Sequence, residues 1–264
     1  MDDIQKDFLG LANNKALKAL GIDVVCYSEI DSTNQAARRL AAHGARVPAL
    51  IVADTQSAGR GRMGRSFYSP VGTGLYMTLL LDVTDDAPSS VVKMTSAAAV
   101  AAALSIRSAT GVDCGIKWVN DIYLDGKKIA GILAESFFES GRRFVCVGVG
   151  VNVCTDSFPL PLEHIASSIG ADSGKRAEIA VEFCRRFLKT YGEISRGDAR
   201  FMEEYRELSI VLGKNVVFTE NGVSHEGIAS AIDDDGGLLI NCEDGNVTLR
   251  SGEISLRLYE RKEL

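Results

Sequence analysis

The stretch Ala49-Leu50-Ile51-Val52-Ala53-Asp54-Thr55-Gln56-Ser57-Ala58-Gly59-Arg60-Gly61-Arg62-Met63-Gly64-Arg65 changes character half-way along. Its first five residues form an unbroken apolar run, the pattern of a buried strand. From Gly59 onward the apolar pattern stops. Three glycines let the backbone approach a ligand closely. Three arginines, Arg60, Arg62 and Arg65, bring planar forks that pair with phosphate or carboxylate. The run continues as loop to about Gly72, and Leu75 to Leu81 is a second strong strand. A loop of this composition between two strands reads as anion-binding. Taken alone, it also suits a solvated basic turn or a nucleic-acid contact of the arginine–glycine type. It is not a Walker loop, because no Gly-Lys-Ser/Thr closes it.

Working outward, residues up to about Gly21 suggest one or two short helices, and Ile22 to Tyr27 a strand. Ser32-Thr33-Asn34 precedes Ala36, Ala37, Leu40 and Ala41, spaced for one helical face, so the polar cluster reads as an N-cap and Gly44 as the stop. Pro88 fits the first turn of a long alanine-rich helix ending near Gly111. Gly115 to Val119 is a short strand. Ile122-Tyr123-Leu124 and Ile129 to Glu135 flank Asp125-Gly126, a hairpin signal. Phe144 to Val153 is strongly β, and two helices are expected within residues 175–195 and 198–208. At about Ile210 the chain becomes short strands punctuated by Asn221-Gly222, Asp235-Gly236-Gly237, Asp244-Gly245 and Ser251-Gly252, the pattern of a small β-barrel. The expected fold is α+β: a catalytic domain with a mixed sheet over residues 1–209, then a compact β domain over 210–264.

Composition bounds the function. With 264 residues, 46% hydrophobic and 24% charged, the chain can build a core without metals or disulfides. Its net charge of −6 argues against nucleic acid as the main partner. The cysteines Cys26, Cys114, Cys146, Cys154, Cys184 and Cys242 form no CxxC pair and read as buried reduced thiols. With only three histidines, no metal-ligand cluster is expected. Met1-Asp2-Asp3 lacks the charge pattern of a signal peptide, and the apolar stretch around Ala97 to Ala103 reads as too short to span a membrane. The expected location is the cytoplasm.

Further candidate residues lie outside the arginine loop. In Lys117-Trp118-Val119-Asn120-Asp121, a lysine at a strand end beside Asn and Asp can place an ammonium against a phosphate; the pattern equally fits an exposed strand end with Trp118 in the core. Ser32-Thr33-Asn34 is either a bare cap or a cap shared with a ligand. Gly148-Val149-Gly150-Val151-Asn152 lacks the third glycine of a dinucleotide fingerprint, so its glycines point instead to close approach of another group.

In combination and order, Glu29-Ile30-Asp31-Ser32-Thr33-Asn34, the Gln56 to Arg65 run, Lys117 to Asp121 with Lys128-Ile129-Ala130-Gly131-Ile132-Leu133, and Gly148 to Asn152 resemble the successive motifs of biotin–protein ligases. The resemblance covers roughly residues 22–264. It implies a class II synthetase-like biotin/lipoate ligase domain followed by an SH3-like β domain. By resemblance, Ser32, Thr33, Asn34 and Gln56 hold biotin's rings. Arg60, Gly61 and Arg62 close over its carboxylate and the phosphate, Lys117 contacts both, and Gly131, Leu133 and Gly148 line the pocket. Arg60, Arg62 and Lys117 are the catalytic candidates; Arg65, Phe67, Asn120, Asp121 and Asn152 lie toward the nucleotide. Two departures from the family pattern are Val119, where proline is usual, and Phe67, where tryptophan is common.

The resemblance implies ATP with Mg²⁺ as cofactors, biotin as substrate and a biotin carboxyl carrier domain as partner. It allows a homodimer. About thirty residues precede Ser32, too few for a helix-turn-helix module, so neither DNA nor a membrane is expected as a partner. The implied chemistry is adenylation of biotin's carboxylate, then acyl transfer to a carrier lysine, with the arginine loop as a lid over the adenylate. The rival readings are a lipoate–protein ligase and a non-catalytic biotin sensor.

Overall fold

A computed structural model describes residues 7–220, 223–250 and 256–258. The turns expected at Asn221-Gly222 and Ser251-Gly252, and the N-terminal Met1-Asp2-Asp3, lie outside the described residues. The chain begins with a short helix, α1 (Lys15–Ala19), then β1 (Asp23–Ile30), α2 (Thr33–Ala42), β2 (Ala49–Gln56) and β3 (Gly74–Asp82). Helix α3 (Pro88–Thr110) follows, then β4 (Gly115–Lys117), β5 (Asp121–Leu124), β6 (Lys127–Glu139) and β7 (Arg142–Asn152). Helices α4 (Lys175–Ile194) and α5 (Phe201–Leu208) lead to β8 (Asn215–Glu220), β9 (Val223–Ile232), β10 (Leu238–Cys242), β11 (Gly245–Leu249) and β12 (Leu256–Leu258).

The first seven strands form one mixed sheet in the order β1-β2-β3-β7-β6-β5-β4. Only β1 and β2 run parallel; the other neighbours are antiparallel. Successive side chains of a strand point to opposite faces, so one apolar run feeds two cores. On β2 and β3, Leu50, Val52, Leu75, Met77 and Leu79 join the core packed with α3 and α4. Ala49, Ile51, Ala53 and Leu80 face the other way, toward Ala36, Ala37 and Ala41 of α2. Burial on both faces explains why these strands read as continuous apolar runs rather than alternating ones.

Helix α3 is 23 residues long and contains an 18-residue stretch of mean hydropathy 1.4, enough for a membrane span by length and composition. The expectation of a short apolar stretch therefore underestimated it. Buried serines such as Ser96 and Ser105 continue the small-residue face beyond the alanines, and the helix packs into the core of the sheet domain. Pro88 stands at its first turn and Gly111 ends it with φ +75°. The strand expected over Gly115 to Val119 stops at Lys117, where Trp118, Val119 and Asn120 turn the chain through a cis Trp118–Val119 peptide. Asp125 and Gly126, both at positive φ (49° and 76°), make the expected tight hairpin.

The last five strands form an antiparallel sheet in the order β11-β10-β9-β8-β12. Val216, Phe218, Ile232, Leu238 and Ile240 bury its inner face in the same core as the larger sheet. Its β9–β10 turn is fastened at three points. Trp118 Nε1 donates to Gly236 O at 2.8 Å, Lys93 pairs with Asp235 at 3.5 Å, and Arg206 donates to Ile232 O at 2.8 Å while pairing with Asp234.

Candidate active site

Helix α2 covers the face of β1, β2 and the near part of β3 and β7. Beyond its N-terminus the same face is open over β3, β7 and β6, and a cleft forms there, with about 460 Å³ of empty space including its mouth. Its floor is made by glycines for a steric reason. A Cβ on Gly148 would stand 2.4 Å from Asn34 Oδ1, one on Gly150 would stand 2.6 Å from the Phe67 ring, and one on Gly131 would stand 3.0 Å from Lys128 Nζ. A larger residue at Gly148 or Gly150 drives Asn34 or Phe67 out of place, whereas at Gly131 the neighbour is the flexible end of Lys128.

The wall under α2 is polar and buried. Ser32 occupies the N-cap position, but its side chain makes no capping bond. The amide N–H of Thr33 instead donates to Gln56 Oε1 at 2.9 Å, so β2 supplies the cap while Ser32 lines the cleft. Gln56 Nε2 donates to Ser69 Oγ at 2.9 Å, and Ser69 Oγ donates to Phe67 O at 3.0 Å. Thr78, fully buried on β3, lies 2.6 Å from Asn34 Oδ1 and 2.8 Å from Thr33 Oγ1.

The opposite rim is cationic. The arginine run folds as a narrow hairpin in which Phe67 N–H donates to Gly59 O at 2.9 Å and Gly61 N–H to Arg65 O at 2.7 Å. Its tip is a short turn, Arg62–Gly64, with Met63 at φ +55° and largely exposed. Arg60 lies against the Gln35 side-chain amide, whose oxygen, turned toward the guanidinium, accepts from both of its terminal nitrogens at 2.7 and 2.9 Å. Arg62 donates to Asn120 Oδ1 at 3.0 Å, and Asn120 Nδ2 donates to Ile132 O at 2.8 Å. Burial lowers the pKa of the Arg62 guanidinium, while nearby Asp121 works against that shift. Lys128 pairs with Asp121 at 2.7 Å. Its backbone is pinned by the following segment: Lys128 N–H donates to Ile165 O and Ser167 N–H to Lys128 O, both at 2.9 Å. Two guanidinium groups and an ammonium thus face a buried wall of amides and hydroxyls across a glycine floor.

Residues 27–152 match the model of the biotin/lipoate A/B protein ligase family, and residues 211–257 match that of the biotin protein ligase C-terminal domain. Among curated proteins, the bifunctional ligase/repressor BirA of Bacillus spizizenii is 36% identical over 248 residues, spanning 90% of this chain and 75% of that protein. The biotin–[acetyl-CoA-carboxylase] ligase of Mycobacterium tuberculosis is 30% identical over 241 residues, 88% of each chain. The chain belongs to the biotin protein ligases. Among solved structures, the biotin protein ligase of Aquifex aeolicus in complex with biotin and ATP superposes with a TM-score of 0.76 at 26% identity, covering 89% of this chain and 99% of that one.

Ser32, Thr33, Asn34, Gln56, Arg60, Gly61, Arg62, Phe67, Asn120, Gly131, Leu133 and Gly148 all line the cleft. Lys117 does not. Its amine lies 3.3 Å from the Tyr123 hydroxyl and 4.9 Å from the centre of that ring. It sits on β4, two strands outward from β6, in register with Asp121 and through it with Gly131. The lysine lining the cleft is Lys128, a residue within the quoted motif to which the sequence reading gave no role. Asp121 stands behind the rim as the partner of Lys128. Arg65 does not line the cleft; its carbonyl closes the hairpin. Asn152 is buried beyond the cleft lining and donates to Ser167 O at 3.0 Å, bracing the segment that pins Lys128. Met77, Ile132, Val149 and Gly150 complete the lining; the last three stand within the Lys128–Leu133 and Gly148–Asn152 motifs, whereas Met77 belongs to none of them.

The six cysteines are unpaired, as expected. Cys26, Cys114, Cys146 and Cys184 are buried, whereas Cys154 and Cys242 are half-exposed. Burial pushes the thiols of Cys146 and Cys184 up to about 12, which makes them inert packing groups rather than nucleophiles.

Proposed function

We infer that the protein is an ATP-dependent biotin–protein ligase that makes biotinyl-5′-AMP and then passes biotin to a lysine of a biotin carboxyl carrier domain. The observation that carries this reading is the meeting of Arg60, Arg62 and Lys128 at one end of a cleft whose other wall is neutral and hydrogen-bonding. That polarity suits a ligand with an anionic end and a neutral polar head. The M. tuberculosis relative carries the acetyl-CoA-carboxylase ligase name and the A. aeolicus neighbour was solved with biotin and ATP, which supports these as substrates here.

In the proposed mechanism the polar wall takes biotin's ring system and the chain of the acid runs over Gly148 and Gly131. Its carboxylate then lies among the three cations. One carboxylate oxygen attacks the α-phosphorus of ATP, a P–O bond forms, and pyrophosphate leaves with the bonding electron pair. Two anions must meet, and preplaced cations in a water-poor site lower that barrier most where charge builds up. Arg62 is suited to this because Asn120 fixes its guanidinium before the substrates arrive. In the second step the carrier lysine's amine attacks the acyl carbon and AMP departs. The hairpin from Gly59 to Phe67 would keep water from the mixed anhydride meanwhile.

Mg²⁺ fits as a companion of ATP. Among the described residues there is no cluster of three or more metal-binding side chains, and the carboxylate beside the cleft, Asp121, is paired with Lys128. Mg²⁺ commonly takes one or two carboxylates, with phosphate and water oxygens completing its shell. It would supply charge neutralisation on the phosphates. The unpaired thiols favour a cytoplasmic, reducing setting.

The test is to incubate purified protein with ATP, labelled biotin and a carrier domain, with lipoic acid as competitor. ATP-dependent label on one carrier lysine, unaffected by excess lipoate, is expected. Labelling with lipoate in preference to biotin, or biotin binding without transfer, would overturn the reading.

A further inference from the structure

Glu135 lies outside the cleft, on β6 two residues past Leu133, and no step above uses it. Its Oε2 accepts from Asn34 Nδ2 at 2.8 Å, and the same nitrogen lies 3.3 Å from Leu133 O. From its other side Arg38 approaches Glu135 Oε1 at 3.8 Å while lying 4.5 Å over the Phe137 ring. An ionised carboxylate only accepts hydrogen bonds. The Asn34 amide is therefore locked with its nitrogen toward β6 and its oxygen over the floor at Gly148.

The consequence runs along the whole wall by proton counting. Asn34 Oδ1 must accept from its neighbour Thr78 Oγ1 at 2.6 Å. Thr78 has one hydroxyl proton, so toward Thr33 Oγ1, 2.8 Å away, it has only a lone pair to offer. Thr33 has one hydroxyl proton as well, and both Thr78 Oγ1 and Gln56 Oε1, the latter at 3.2 Å, compete for it. Gln56 turns its nitrogen away to Ser69. Four oxygens in a row, those of Asn34, Thr78, Thr33 and Gln56, share two hydroxyl protons and the Thr33 amide N–H. Both hydroxyl protons are committed within the row, so these four oxygens offer a ligand lone pairs rather than donors.

We propose that Glu135 is the positioning residue that sets this polarity, and that the polarity makes the cleft select a head group carrying N–H donors. This rests on the ligase reading, which already seats biotin's rings on the wall; what it adds is that Glu135 keeps the Asn34 oxygen turned toward the ureido N–H groups. It also gives a reason for rejecting lipoic acid, whose dithiolane ring has no N–H. A site built to hydrogen-bond a donor discriminates against an analogue lacking it, because buried acceptors are left unpaired.

The experiment measures biotin affinity by calorimetry, and biotin KM, ATP KM and kcat by pyrophosphate release, for wild type and three variants. Glu135→Leu removes the acceptor, Glu135→Lys replaces it with a donor, and Glu135→Gln keeps one acceptor oxygen. Glu135→Leu should weaken biotin about tenfold and Glu135→Lys more, while Glu135→Gln stays within about threefold of wild type. ATP KM and saturated kcat should move less than about twofold, a split that general loosening would not give. Methylating one ureido nitrogen of biotin should penalise wild type more than Glu135→Leu. Unchanged affinity in Glu135→Leu, equal losses in the Leu and Gln variants, or a fall in kcat at constant biotin KM would overturn the proposal. Failure of wild type to bind biotin at all would instead overturn the ligase reading beneath it.

Discussion

Replacing Lys128 by methionine should slow adenylate formation by two to three orders of magnitude, whereas the same change at Lys117 should leave it nearly intact. Lys128 Nζ stands beside Gly131 on the cleft floor and pairs with Asp121 at 2.7 Å. A unit charge about 5 Å from the reacting phosphate, at an effective dielectric of about 20, contributes about 3 kcal/mol. That is roughly two decades in rate. Losing the ammonium also leaves the Asp121 carboxylate without its partner near Arg62, which adds to the penalty. A second substitution, Asp121→Asn, should therefore recover part of the loss in Lys128→Met while costing activity by itself. Lys117 rests against Tyr123 and lies two strands further out. The assay is single-turnover pyrophosphate release with saturating biotin and ATP and no carrier. Lys128→Met within threefold of wild type, or Lys117→Met as slow as Lys128→Met, would refute the assignment.

Other outcomes follow from the same geometry. Gly148→Ala should raise biotin KM more than tenfold, because the new methyl stands 2.4 Å from Asn34 Oδ1; steady-state kinetics check it, and unchanged KM would show the floor to be slack. Trp118→Phe removes the donor to Gly236 O and should cost about 1–3 kcal/mol in denaturant unfolding. Tyr205→Phe, which removes the bond from the Tyr205 hydroxyl to Val119 O, should cost a similar amount. Hydrogen bonds from Arg39 and Arg185 hold the carboxyls of Asp31 and Glu182 below their ordinary 3.8 and 4.5. Their stabilisation is complete above those values and is lost as pH falls through the lowered folded values. Melting temperature should accordingly drop as pH falls from about 5 to 3, and the drop should shrink in Asp31→Asn with Glu182→Gln. Both pairs are partly exposed to solvent, so the difference should be small and should fade in high salt.

Much of the architecture was legible because local signals agreed. The Asp125-Gly126 turn, the glycine stop at Gly111 and the doubly apolar β2 and β3 each specify one local conformation. The cleft's amide wall and arginine rim were legible as motifs, but their order in space was not. Strand order decides which lysine reaches the floor, and nothing in residues 117–128 encodes that β6 pairs with β7 while β4 takes the outer edge. A local irregularity adds to this. Ile122 pairs with Ala130 while Tyr123 pairs with Lys128, so one extra residue, Ile129, bulges from β6. The bulge breaks the two-residue alternation and brings Lys128 to the same side as Gly131, an odd number of residues away. Simple periodicity places them on opposite faces. The role of Gln56 in capping α2 was likewise invisible, since it depends on β2 ending level with Thr33.

Joining biotin to AMP is the reaction proposed for the cleft. Exchange of labelled pyrophosphate into ATP, measured in the absence of any carrier protein, tests it most directly. Exchange that requires biotin, is abolished in Arg62→Ala and is not supported by lipoate is the predicted result. Exchange that proceeds without biotin, or no exchange under conditions where the folded protein binds both biotin and ATP, would contradict it.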